Sequence, residues 1–186
     1  KLLGGTTYDI VIPSDYMIER LINEKLVQKL DKSKLTCLDA LYDGVKNAEY
    51  DPNNDWSVPY FWGTMGYTYN MDKVDVELLK TWDAEWNTTF KKKLSIKDSM
   101  RDTYFTAVMH VYKDELLNLK ESYEKKDITA AVYNSRLSEI FNRCDTDTLN
   151  KTKDALKALT NNVVLEVDEG KNDIGLGNID VNLAWS

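Results

Sequence analysis

Apolar positions along the chain follow two rhythms, and their alternation predicts an α/β fold. Residues 8–13, YDIVIP, are rich in β-branched side chains and read as a buried strand, with Ser14 next as a helix cap. Over residues 15–27, Ile18, Leu21, Ile22 and Leu26 recur at helical spacing, which makes a strand-turn-helix unit. The tract 31–57 is polar and contains the turn formers Asp51-Pro52-Asn53-Asn54, so it reads as loop with at most a short helix around 38–45. Strand character returns at 58–62 and at 66–70.

The pattern then restarts. A short helix is predicted over 76–82, a strand over 93–96 and a long helix over 99–112, where Tyr104, Phe105, Val108, Met109 and Val111 supply apolar surface. Two more helices are predicted at 129–142 and 147–160, and closing strands at 163–167 and 179–184. Helices alternating with short apolar strands argue for mostly parallel sheet. The sequence shows no internal repeat and no low-complexity tract.

With 42% hydrophobic and 11% aromatic residues in 186, the chain can bury a real core, as one domain or two small ones. The net charge of -7 argues against nucleic acid, whose phosphates need clustered Lys and Arg. Cys37 and Cys144 are far apart and not at metal-ligand spacing, and spacing alone does not say whether they pair. The sequence contains no run of 18 or more apolar residues of the kind that spans a membrane. His110 is the lone histidine and lies inside a helical pattern, so it reads as a helix-surface or partly buried residue. Gly175-Leu176-Gly177 reads as loop, and Lys91-Lys92-Lys93 as a solvated basic run. Asn87-Thr88-Thr89 matches a glycosylation sequon short enough to occur by chance. No cofactor motif is found, neither a Walker A loop nor a dinucleotide fingerprint.

The most distinctive block is EYDPNNDWSVPYFWG at residues 49–63, taken with YDIVIPS at 8–14. Together they resemble the spermidine/putrescine-binding proteins, the solute receptors of polyamine ABC importers. The resemblance implies a periplasmic-binding-protein type α/β fold of two lobes with mostly parallel sheets. Residues 1–62 correspond to part of the N-terminal lobe and 63–186 to part of the C-terminal lobe, so the chain reads as truncated at both ends. It also implies a non-catalytic receptor at the periplasmic or extracellular face of a bacterial membrane, with a polyamine ligand and membrane permease subunits as partners. Exposed surface where further elements would pack makes a dimer of this chain an expectation.

A polyamine site needs carboxylates for the ammonium groups and aromatic faces for cations and methylenes. Hydrogen bonds to charged groups contribute roughly 1.5–3 kcal/mol each and cation–π contacts about 0.5–2 kcal/mol. By resemblance Ser14 and Tyr16 match ligand contacts at the end of the first strand; Ser14 also fits as a simple helix cap. The segment Ser99-Met100-Arg101-Asp102 matches a family stretch in which two acids at a helix start hold amines. Asp102 takes the place of the second acid, and the first is replaced by Ser99, a departure that Asp98 is near enough to offset. Ser99-x-x-Asp102 also fits a capping box, and the sequence leaves both readings open. Trp185 in VNLAWS aligns with a tryptophan that walls the family's cleft. Trp56, Trp62, Trp82 and Trp86 read as packing residues. The segment 167–169 lies where the family places another polar contact, and Asp168 is not assigned to the site.

Three other readings stand beside the polyamine receptor, one of them a purely structural or interaction domain, which would lack any pocket at the Ser14 and Ser99 turns. A binding protein for another small organic cation or solute would use the same features, and the change at Ser99 keeps it open. A hydrolase using Asp98 and Asp102 as an acid pair lacks a nucleophile or base partner in the sequence.

Overall fold

The structure is a computed structural model that describes residues 4–167 and 170–186. It divides between Gly63 and Thr64 into two units.

The first unit holds one α-helix, α1 (Asp15–Asn23), which buries Leu21 and exposes the polar side chains around it. The helix is four residues shorter than the apolar spacing suggests, because Lys25 turns into the left-handed region at φ 57°. The amides of Leu26 and Lys25 then donate to the carbonyls of Leu21 and Ile22, a closure that satisfies the last turn. Residues 31–57 are loop with short 3-10 turns at Lys32–Lys34, Leu38–Ala40 and Asp43–Val45, as the polar composition predicts.

The expected strands at 8–13 and 58–62 are absent. In the first unit no described residue belongs to a strand, and Ile10 and Ile12 are 80% and 73% exposed. A β-branched run raises strand preference, but a strand forms only against a hydrogen-bonded neighbour. In the second segment Pro59 also removes one ladder donor. Trp62 accordingly stands in solvent and is not a packing residue.

The distinctive DPNNDWS tract is organised by one buried carboxylate. Asp51 is 2% exposed; its Oδ1 accepts the Asp55 amide, and its Oδ2 accepts the Trp56 and Ser57 amides and the Ser57 hydroxyl. Those bonds fold the loop back on itself, and Asn54 adopts the left-handed φ of 50° that the turn needs. Trp56 stays half-buried, with the Lys29 ammonium 5.5 Å over its ring.

The second unit is built on a four-stranded sheet of β1 (Met65–Tyr69), β2 (Leu94–Lys97), β3 (Val164–Glu166) and β4 (Val181–Trp185). Strand order is β1-β4-β2-β3; β4, β2 and β3 run parallel and β1 is antiparallel to β4. Alternation sends Leu94, Ile96, Val181 and Leu183 into the main core with Leu159 and Val163. Half-buried Trp82 and Trp86 pack against the same core, as expected of them.

Four helices follow the chain between β2 and β3: α2 (Met100–Val111), α3 (Lys113–Glu124), α4 (Ala130–Phe141) and α5 (Thr146–Thr160). Ser99, Thr129 and Asp145 cap α2, α4 and α5 through their side-chain oxygens, which explains why these helices start where they do. A smaller core of Val108, Leu119 and Ile140 joins α2, α3 and α4. Sequence pattern gives no sign of α3. It buries only Leu119 and is otherwise laced by exposed ion pairs, Lys120–Glu124 and Glu121–Lys125. Finally α6 (Gly170–Leu176) precedes β4, so Gly175 and Leu176 belong to a helix and not a loop. Gly177, at φ 76°, is the left-handed residue that ends it.

Candidate functional site

The parallel strands β2, β3 and β4 end on the same edge of the sheet, which is where ligands collect in open α/β folds. A cleft of about 370 Å³ opens there, with Ser99, Val167 and Trp185 around it and Lys97, Glu166 and Asn182 beneath.

Three of the expected residues come together here: Ser99 and Trp185 line the cleft, and Asp102 contacts both from beside it. The indole Nε1 of Trp185, which is 46% exposed, donates to Oδ2 of Asp102 at 3.4 Å. The Ser99 Oγ accepts the Asp102 amide at 3.4 Å, so the serine half of the capping box is formed and holds the first turn of α2 at the cleft. Asp98 also lines the cleft; its amide is tied to the Glu166 carbonyl at 2.7 Å, and its side chain is left to solvent.

Ser14 and Tyr16 lie in the first unit. Ser14 occupies the cap position of α1 in extended conformation, but its hydroxyl makes no capping bond; its carbonyl accepts the Met17 and Ile18 amides instead. Simple side-chain capping therefore does not account for this serine. Tyr16 is 39% exposed at the first turn, with its amide held by the Asp15 carboxylate at 2.7 Å. Asp168 lies outside the described residues.

The polar floor of the cleft was not foreseen. Cross-strand register places Lys97 opposite Glu166 and Ser95 opposite Asn182. The Asn182 Nδ2 donates to Ser95 Oγ at 2.8 Å and to Glu166 Oε1 at 3.2 Å, while the Gly170 amide donates to Glu166 Oε2 at 3.2 Å. Lys97 Nζ stands 3.7 Å from Glu166 Oε1 and donates to the Val167 carbonyl at 2.5 Å. Lys171 Nζ donates to the Trp185 carbonyl at 3.0 Å. A carboxylate in the middle of the apolar run VVLEV was the available signal, since a buried acid needs partners.

Other titratable groups serve packing. His110 Nδ1 lies 2.7 Å from Asp83 Oδ1 and its ring stacks on Trp86 at 4.0 Å, half-buried as expected of the lone histidine. Burial works to raise the Asp83 carboxyl, but hydrogen bonds from Lys113 and His110 outweigh it and hold it below the ordinary carboxylate range. Glu85 is fully buried, and burial pushes its carboxyl up to about 8 against hydrogen bonds from Thr106 and Tyr67 that pull it down. Lys92 and Lys93 are exposed yet not idle: their ammonium groups clasp the carbonyls of Thr160, Val163 and Asn178. Cys37 and Cys144 are exposed free thiols. Among the described residues no cluster of His, Cys, Asp and Glu could hold a metal, and no helix is long and apolar enough to cross a membrane.

A mostly parallel sheet with a cleft at its strand ends is a frame that this chain shares with periplasmic binding proteins. The spermidine/putrescine substrate-binding protein PotD of Streptococcus pneumoniae, solved with calcium and HEPES, superposes with a TM-score of 0.69 at 31% identity, covering 99% of this chain and 49% of that one. Residues 5–163 match the bacterial extracellular solute-binding protein family, and the chain belongs to it. It is 38% identical over 108 residues to the spermidine/putrescine-binding periplasmic protein of Salmonella typhimurium, covering 58% of this chain and 31% of that protein. It is 35% identical over 135 residues to the putrescine-binding periplasmic protein SpuD of Pseudomonas aeruginosa, covering 65% and 37%. The chain thus spans about a third of the length of these curated relatives.

Proposed function

We propose that this chain is the ligand-binding part of a polyamine receptor that serves an ABC importer at the periplasmic or extracellular face of a bacterial membrane. Residues 1–62 and 63–186 are parts of its N- and C-terminal lobes. Ligand is held by Ser14 and Tyr16 on the first lobe and by Ser99, Asp102 and Trp185 on the second, and the liganded form docks to membrane permease subunits. The protein carries out no chemical step. Self-association of this chain belongs to the same reading, supported by the exposed Tyr60, Phe61 and Trp62.

The observation that carries the reading is the pairing of Trp185 with Asp102 at a cleft on the strand ends. An ammonium there meets a carboxylate and an aromatic face at once, the two surfaces a polyamine requires. The relatives named above supply the ligand class. Calorimetric titration of the full-length protein with putrescine, spermidine and a neutral diol of matched length tests it, repeated on Tyr16→Ala and Asp102→Asn. Amines are expected to bind and the diol not, with each substitution weakening the amine about tenfold or more. Equal binding of diol and amine, or amine binding untouched by both substitutions, would refute the assignment.

A further inference from the structure

The two lysines of the cleft are out of place in a site for cations. Lys97 is fixed by strand register opposite Glu166, with side chains only 15% and 7% exposed, so its ammonium is built into the cleft floor and is not a passing surface charge. It bridges the Glu166 carboxylate and the Val167 carbonyl. The same carboxylate is engaged by Asn182 and by the Gly170 amide, so both its oxygens have partners within the protein.

We propose that Lys97 is a specificity-determining residue: it takes up the Glu166 charge, limits this cleft to one cationic group of the ligand, and so favours diamines over triamines. The inference rests on the polyamine reading above. An incoming ammonium finds Asp98 at the rim and Asp102 behind it, bonded to the lining residues Trp185 and Ser99. A second ammonium carried deeper meets Lys97, and in this shielded floor the repulsion is weakly screened. Specificity can be built from repulsion of the wrong ligand as well as from attraction of the right one. Glu166, in turn, is a positioning residue that holds the lysine in place.

Charge changes of opposite sign test this. Putrescine and spermidine are titrated into the wild type, Lys97→Met and Glu166→Gln, with circular dichroism melts to confirm folding. Lys97→Met, which exposes the Glu166 charge, is expected to raise the spermidine-to-putrescine affinity ratio about tenfold, and Glu166→Gln to lower it by a similar factor. Should Lys97→Met fail to fold, the opposite shift in Glu166→Gln still decides. A ratio within about twofold of wild type in every folded variant overturns the proposal while leaving the polyamine reading intact. Absence of amine binding by the wild type overturns both.

Discussion

The side chain of Asn182 fills the space where Gly170 would carry a Cβ: its Nδ2 lies 2.1 Å and its Cγ 2.5 Å from that point. Asn182 is 1% exposed and bonded to Ser95 and Glu166, so it has no free direction in which to yield. The glycine is therefore required by close approach of helix to sheet.

Gly170→Ala is expected to destabilise the protein by about 1–3 kcal/mol through overpacking. Pairing it with Asn182→Ser, which vacates the space, should cost less than the two single changes added together. Urea unfolding of the three variants measures the coupling, and strict additivity would count against the clash.

Asp51→Asn is expected to cost about 2–3 kcal/mol, because a carboxamide replaces two accepting oxygens by one and places a donor against amides. Hydrogen exchange should speed up at Asp55, Trp56 and Ser57, whose amides Asp51 receives. Unchanged protection there would mean that the loop holds without it.

Glu85 gives stability a pH dependence of unusual sign. Its folded pKa of about 8 lies above the ordinary 4.5, so the folded state keeps a proton that the unfolded chain releases. The contribution is full below about pH 4.5 and is lost as pH rises toward 8, by on the order of a few kcal/mol. Glu85→Gln cannot ionise, so it should gain on the wild type across that window and level off above it. Denaturant unfolding at pH 5, 7 and 9 checks this; parallel curves for the two proteins would contradict it.

Trp185→Phe keeps a ring at the cleft but deletes the N–H that reaches Asp102. Amine affinity is expected to fall several-fold, short of the loss in Trp185→Ala, because cation–π attraction survives in part. Calorimetry on both variants separates the two contributions, and identical losses would assign everything to the N–H.

The helices were legible where the chain signs its own start. Ser99, Thr129 and Asp145 cap helices whose apolar spacing was already visible, and the strands around Ile96 and Val181 stand out as short apolar runs. Pairing is not local, however, so residues 8–13 and 58–62 looked like strands without having neighbours. The helix over Lys113–Glu124 hid because charge pairs, not an apolar stripe, cover most of it. At the candidate site, a family likeness singled out Ser99, Asp102 and Trp185, and the fold brings these three into mutual contact. Lys97, Glu166 and Asn182 were not, since their meeting depends on the register of three strands far apart in the chain.

The position of Trp185 makes the cleft self-reporting. Its indole stands half in water with its N–H on a carboxylate, whereas Trp82 and Trp86 sit against the core. Whatever enters the cleft displaces water from that one ring and alters the field along its N–H, so the emission colour and intensity of the protein change without any attached dye. Occupancy can thus be followed in real time by intrinsic fluorescence, as a change over the emission of Trp56, Trp62, Trp82 and Trp86.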